Sequence, residues 1–195
     1  MNIVDKSVLK KIYQFGKMSQ RQLSNVCGFS LGKVNQSIQF LQKEGYIDDN
    51  WTLTNKSQEL IEAYKPKKAI ILAAGLGMRM VPINTEVPKA LLKVKNETLI
   101  ERLILQLHEV GVNDITVVVG FMKEEFEFLI DAYHVRLVCN MEYARKNNLY
   151  SLAKSHTDLV NTYIVPCDIW CESNPFHACE LYSWYMIKEE RTDNS

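Results

Sequence analysis

The sequence predicts two units: a small helical domain over residues 1–65, then an α/β domain over residues 66–195 whose sheet is mostly parallel with helices on both faces. Three observations predict it. After Lys68, short apolar runs of strand length alternate with segments of helical periodicity. The first run, Ala69 to Ala73, is wholly apolar and ends in small residues, as a strand buried on both faces does. Ahead of it, from Val8 to Leu41, apolar residues recur at helical spacing.

The elements follow in order. Residues 7–16 place Val8, Leu9, Ile12 and Tyr13 on one helical stripe that stops at Gly16. Ser19-Gln-Arg-Gln22 is a capping box, after which Leu23 and Val26 face inward before a turn at Gly28. Leu31, Val34, Ile38 and Leu41 define a third stripe, leaving Lys33, Asn35, Gln36, Gln39 and Lys43 on the other face, with Gly45 as the stop. Tyr46-Ile47 and Trp51 to Thr54 flank Asp48-Asp49-Asn50 as a hairpin, and Lys56 to Tyr64 forms one more helix. This order resembles a winged helix-turn-helix domain, which implies DNA binding through Lys33, Asn35, Gln36 and Gln39. An acidic hairpin tip and a net charge of about +3 on residues 1–65 keep a docking or regulatory module open as the alternative. Pro66 with Lys65, Lys67 and Lys68 marks the boundary.

In the second unit, Leu99 to Val110 is a helical stripe ended by Gly111. Then come a strand at Ile115 to Val119, a helix at Lys123 to Tyr133, a strand at Val135 to Cys139, a helix at Leu149 to His156 and a strand at Thr162 to Cys167. That rhythm predicts a Rossmann-like sheet, with ligands at the carboxyl ends of its strands. Directly after the first strand stands Ala-Ala-Gly-Leu-Gly-Met-Arg, followed by Pro82, Pro88 and Lys89. Gly75 and Gly77 let the backbone turn and present N–H groups to an anion, while Arg79 and Lys89 add fixed positive charge. The pattern is a phosphate cradle. It is not a Walker loop, since no Gly-Lys-Ser/Thr closes it, and Met80 replaces the third glycine of a dinucleotide fingerprint.

Strand, Ala-Ala-Gly-x-Gly-x-Arg, Pro and Pro-Lys at these spacings resemble the signature of the sugar-nucleotide pyrophosphorylase and cytidylyltransferase superfamily. One position departs: Asn84 and then Thr85 follow where many members carry Thr. The resemblance implies a nucleotidyltransferase in which Ala73, Ala74, Gly75, Leu76, Gly77, Met78 and Arg79 hold the triphosphate and Lys89 neutralises the α-phosphate, Lys89 and Arg79 being the catalytic cations. It also implies Mg²⁺ on Asp168, the carboxylate that follows the strand Tyr163 to Cys167. Asn147, Asn148 and Ser151 offer donors and acceptors at a helix start, as recognition of a pyrimidine base requires. The string from Asn140 to Leu152 looks most like bacterial CTP:phosphocholine cytidylyltransferases, which implies CTP and phosphocholine as substrates. Choline is a quaternary ammonium held against aromatic faces, and Trp170 and Trp184 are the candidates.

Bulk properties set the limits. Near half of the residues are apolar, no apolar run is long enough to cross a membrane, and the start is no signal peptide. Five cysteines at irregular spacing read as reduced thiols, so the expected compartment is the cytoplasm. The chain stops at the polar Arg-Thr-Asp-Asn-Ser, while the resemblance implies a second metal-binding group further along, so the sequence reads as a fragment of a longer protein or a shortened gene product. Two other readings stand beside the cytidylyltransferase: a sugar-1-phosphate nucleotidyltransferase using UTP or dTTP, and a transcription regulator whose second half only senses a nucleotide.

Overall fold

The structure, a computed structural model, describes residues 1–75, 87–143, 145–146, 148–155 and 158–187, except the side chains of Asn148, Leu149 and Lys154. The chain divides into two compact units at Lys65 and Pro66, and the described residues from Cys179 onward belong to the first. That last assignment differs from the sequence expectation, which kept the whole of residues 66–195 in the α/β unit.

The first unit carries α1 (Ile3–Phe15), α2 (Gln20–Cys27), α3 (Leu31–Lys43) and α4 (Asn55–Tyr64). Helix α1 starts earlier than its apolar stripe suggests because Asn2 and Asp5 form a capping box: Asn2 Oδ1 accepts from the Val4 and Asp5 N–H groups, and Asp5 accepts from Asn2 N–H. The Ser19–Gln22 box opens α2 as predicted. The hairpin is reduced to one antiparallel bridge, Ile47 to Leu53, and Asp48 Oδ1 closes its tip by accepting from Asn50 and Thr52 N–H. Val8, Leu9, Ile12, Leu23, Val34, Ile38, Leu41, Ile47 and Ile61 make the core, joined by Cys179 and Leu181. Those two arrive on a strap in which Glu180 pairs with buried Lys10, and Tyr182 Oη lies 3.2 Å from Ser7 Oγ. The strap replaces solvent over α1, and a stretch to which the sequence reading gave no element is thereby buried.

The second unit holds β1 (Lys68–Ala73), β2 (Lys93–Val94), β3 (Glu97–Thr98), α5 (Leu99–Glu109), β4 (Asp114–Val119), α6 (Phe128–Tyr133), β5 (Arg136–Cys139), α7 (Asn148–Lys154) and β6 (Thr162–Pro166). Four strands form an all-parallel sheet in the order β5-β4-β1-β6. Alternation along β1 divides its side chains: Ala69, Ile71 and Ala73 face the layer of α5 and α6, while Ile70 and Ala74 face the layer of α7. Ile100, Leu103, Ile104 and Leu107 of α5 and Leu129 of α6 fill the first layer, and Leu152 of α7 packs in the second. Helices therefore cover both faces, as the sequence predicts.

Two elements differ from the sequence reading. The helix expected from Lys123 to Tyr133 is a 3-10 turn at Lys123–Phe126 followed by α6, because Met122 sits in the left-handed region and tightens the entry. The hairpin β2–β3 goes unannounced, since its turn residues Lys95 (φ 51) and Asn96 (φ 69) occupy positions where glycine is the usual signal.

Candidate active site

Parallel pairing puts all four strand ends on one edge: Ala74 and Gly75 after β1, Gly120 after β4, Asn140 after β5, Cys167 and Asp168 after β6. Leu72 of β1 pairs with Pro166 of β6, and Cys167 N–H donates to the Leu72 carbonyl at 3.2 Å, so Asp168 emerges beside the start of the Gly-rich loop. Lys89 arrives from the other side of that loop on a 3-10 turn, Lys89–Leu91. Pro88 fixes the entry and Ala90, fully buried, anchors the turn in the core, so the lysine is held at the edge. Lys89 Nζ lies 2.8 Å from Asp168 Oδ2, with 28% and 40% of the two side chains exposed. An ammonium and a carboxylate 79 residues apart in sequence thus meet where strand-end ligands bind.

Cys167 borders this pair. Burial, with the Asp168 carboxylate adding to it and Lys89 opposing, pushes its thiol up to about 12. It stays protonated and is no nucleophile.

The remaining sequence candidates fall out as follows. Leu76, Gly77, Met78, Arg79 and Asn147 lie outside the described residues, and so does the Asn148 side chain, although Asn148 opens α7. Ala73 and Ala74 are buried, and exposed Gly75 has open space where a Cβ would stand. Its φ is not left-handed, so among the described residues neither backbone conformation nor crowding requires glycine at this position. Ser151 is 2% exposed and its Oγ accepts from Asn140 Nδ2 at 2.9 Å. Asn140, fully buried, also accepts from Glu142 N–H at 3.0 Å. Sequence reasoning gave Asn140 no role, yet the signal that exposed Asp168, a polar residue directly after an apolar strand, marks Asn140 equally.

Trp170 stands two residues past Asp168, in the same unit. Its ring has Lys95 Nζ at 5.0 Å and the Arg102 guanidinium at 5.8 Å from the centroid, and its buried Nε1 has no hydrogen-bond partner among the described residues. The cations of the protein itself already stand where a substrate ammonium would be held. Lys95 is fixed there by Glu172 at 2.6 Å, and Arg102 by the Cys171 carbonyl. Trp184 belongs to the first unit, so the structure brings Lys89, Asp168 and Trp170 into one unit and leaves Trp184 out of it. Lys33, Asn35, Gln36 and Gln39 are exposed along α3, with Asn35 Oδ1 accepting from Gln20 Nε2 at 3.3 Å.

Comparison with known proteins agrees with this division. Residues 1–48 match the winged helix-turn-helix DNA-binding family, and residues 69–174, more than half of the chain, match the MobA-like NTP transferase domain. A choline-phosphate cytidylyltransferase of Streptococcus pneumoniae is 48% identical over 119 residues, covering 61% of this chain and 52% of that protein. A second, from Haemophilus influenzae, is 32% identical over 127 residues, covering 65% of this chain and 54% of that protein. A 2-aminoethylphosphonate cytidylyltransferase of Lancefieldella rimae is 48% identical over 85 residues, covering 43% of this chain and 35% of that protein. The solved structure of the CTP:phosphocholine cytidylyltransferase from Streptococcus pneumoniae superposes with a TM-score of 0.56 at 47% identity, over 57% of this chain and 49% of the other. The chain spans about half the length of the choline-phosphate cytidylyltransferases that it matches. With the strand order, the edge site and the matched span all in agreement, the chain belongs to the MobA-like NTP transferase domain family and carries a winged helix-turn-helix domain in front of it.

Proposed function

We propose that the second unit transfers CMP from CTP to phosphocholine, giving CDP-choline and pyrophosphate. The observation that carries the reading is the Lys89–Asp168 pair at the strand ends, at 2.8 Å. A phosphate oxygen of the acceptor attacks the α-phosphorus in line, forming the new P–O bond while the bond from that phosphorus to the pyrophosphate oxygen breaks. The nucleophile is already an anion, so no general base is needed, and catalysis consists of positioning and charge neutralisation. Lys89 neutralises the α-phosphate, and the resemblance assigns the β- and γ-phosphates to Arg79 and the loop N–H groups and the base to Asn147 and Asn148. Among the described residues no group of three or more His, Cys, Asp or Glu could hold a metal ion by itself. Asp168 supplies one half-exposed carboxylate, which fits Mg²⁺, an ion that takes one or two carboxylates and completes its shell with phosphates and water. Mg²⁺ so held adds charge neutralisation at the reacting phosphate. CTP is supported by the cytidylyltransferase names of three relatives, two at 48% and one at 32% identity, and phosphocholine by two of the three. All five cysteines are free, which supports a reducing, cytoplasmic setting, and no helix among the described residues is long and apolar enough to cross a membrane.

The test is thermal unfolding of this chain with CTP, UTP, dTTP or GTP, with and without Mg²⁺, followed by pyrophosphate release on adding phosphocholine, 2-aminoethylphosphonate or glucose 1-phosphate. Stabilisation by CTP with Mg²⁺ and release on phosphocholine are expected. Stabilisation by UTP or dTTP with release on the hexose phosphate would replace the reading with a sugar-phosphate transferase, and stabilisation without release on any acceptor would favour a sensor.

A second reading concerns the first unit, which we infer binds DNA through α3. Its support is the exposed row Lys33, Asn35, Gln36 and Gln39 together with the family matched by residues 1–48. Fluorescence anisotropy with duplex DNA checks it: binding should weaken steeply with salt and be reduced by Lys33→Ala, and the absence of binding at low salt would leave a docking module.

A further inference from the structure

Where the start of α1 passes α3, the first unit holds a cavity of about 560 Å³. That volume is in the range of small-molecule sites. Val4 and Phe40 are its apolar wall, both partly buried against the helical core. Asp5, Lys33, Gln36 and Ser37 are polar groups of its lining. None of them belongs to the unit that carries Lys89 and Asp168.

Two of these groups are buried without the partners that their chemistry calls for. Ser37 is 2% exposed, and its Oγ has no hydrogen-bond partner among the described residues. Ser7, also buried in a helix, shows the ordinary solution: its Oγ donates to the Ile3 carbonyl one turn back at 2.8 Å. Native chains keep few buried hydroxyls unbonded. Asp5 is 4% exposed, and its Oδ2 accepts from Asn2 N–H at 2.9 Å. Among the described residues, however, no cation stands within ion-pair distance of it. The N-terminus of α1 offsets only about half an elementary charge, and buried carboxylates are ordinarily paired. Lys33, on the exposed rim, has no carboxylate partner among the described residues either.

One carboxylate, one ammonium, one unbonded hydroxyl and one aromatic ring thus line a single cavity. A ligand that complements them carries a cation and an anion together. An apolar and aromatic wall suits a methylated ammonium better than a primary one, which needs hydrogen bonds of its own. We propose that the helical unit binds a small zwitterion in this cavity, a quaternary ammonium compound bearing a phosphate or a carboxylate, with Asp5 and Phe40 serving the cation, Lys33 the anion and Ser37 a hydrogen bond. Lys33 and Gln36 also stand in the row inferred to meet DNA, so ligand and duplex compete for them. That consequence rests on the DNA-binding reading; the site itself does not.

The experiment titrates the full chain with phosphocholine, glycine betaine, choline and inorganic phosphate, without nucleotide or Mg²⁺, and follows amide shifts by NMR. Saturable shifts at Val4, Asp5, Ser37 and Phe40 are expected with a zwitterion, and choline and phosphate, each serving one end only, should bind about tenfold more weakly or worse. The tighter of phosphocholine and betaine identifies the anion. Asp5→Asn keeps an acceptor for Asn2 N–H and removes the charge, so zwitterion affinity should fall about tenfold or more. Ser37→Ala should also weaken binding while leaving the urea midpoint unchanged or raised, because it removes an unpaired hydroxyl. Shifts confined to the surroundings of Lys89 and Asp168 would assign the ligand to the transferase site and overturn the proposal. Choline binding as tightly as both zwitterions, or parent affinity in both variants, would overturn it equally. In fluorescence anisotropy, saturating zwitterion should raise the Kd for duplex DNA about tenfold in the parent chain and not in Asp5→Asn, and an unchanged Kd removes the competition. If the chain binds no DNA, the amide shifts still decide the site.

Discussion

Lys89 and Asp168 neutralise each other across the strand ends at 2.8 Å, and each is held from behind, Lys89 by the buried Ala90 turn and Asp168 by Cys167 and its bond to Leu72. Groups so placed act on charge that develops in a transition state more than on a ground state that water also solvates. Lys89→Ala is expected to lower turnover by roughly 10²-fold or more while changing CTP affinity far less. Single-turnover rates set beside calorimetric Kd check it, and equal losses in both would remove Lys89 from the chemistry. Asp168→Ala should abolish the Mg²⁺-dependent part of CTP stabilisation and spare the metal-free part. The neighbouring thiol gives an independent check on the burial of this edge: with its pKa pushed up to about 12, Cys167 should resist iodoacetamide at pH 8 while exposed Cys139 is alkylated, as peptide mass spectrometry would show.

At the scale of elements, α5 is the rigid bar under the sheet. Thr98 caps it by accepting from Glu101 N–H at 3.2 Å, Thr98 Oγ1 donates to the Glu101 carboxylate at 2.6 Å, and Tyr133 Oη donates to its other oxygen at 2.9 Å. The Thr98 hydrogen bond, with that from Tyr133 behind it, holds the Glu101 carboxyl below its ordinary value. His108 lies in the last turn of the same helix, where burial pushes its pKa down and the charge on His134 adds to the effect. The folded chain therefore binds fewer protons at His108 than the unfolded chain does, and the His108 contribution to stability falls as pH drops through 6.5 toward the lower folded value. Urea midpoints measured from pH 7.5 to 5 should decline less in His108→Gln than in the parent chain, and parallel declines would show that His108 is not the titrating group.

For the whole molecule, the decisive feature of the first unit is the strap from Cys179 to Tyr182, which completes a core that residues 1–65 leave open. Its buried pair, Lys10 with Glu180, is 8% exposed on each side chain. Removing one partner strands a buried charge, whereas replacing both with apolar groups of similar size does not. Lys10→Met is expected to cost about 3–5 kcal/mol in urea unfolding, and Lys10→Met with Glu180→Leu to recover most of it. Additive losses in the double variant would mean that the pair is solvated and the strap is not part of the core. Because Cys179 and Leu181 complete the core of the helical unit, residues 1–65 expressed alone should unfold at lower urea than the same helices do in the full chain.

Whatever depends on neighbours in sequence was legible in the amino acids by themselves. Ser19–Gln22 announces α2, the apolar run Ala69–Ala73 announces a doubly buried strand, and the Gly-rich and Pro-Lys strings mark the edge where Lys89 and Asp168 meet, because local spacing fixes hydrogen bonds, periodicity and strand direction. Tertiary structure alone decided the rest. It turned Ser151 inward onto Asn140, gave Trp170 the cations of Lys95 and Arg102, brought the Ala74 carbonyl and Tyr143 close against Gly120, and moved Cys179 and Leu181 into the helical core. Each of these is a contact between residues distant in the chain, and no local pattern encodes which of several compatible partners packing will select.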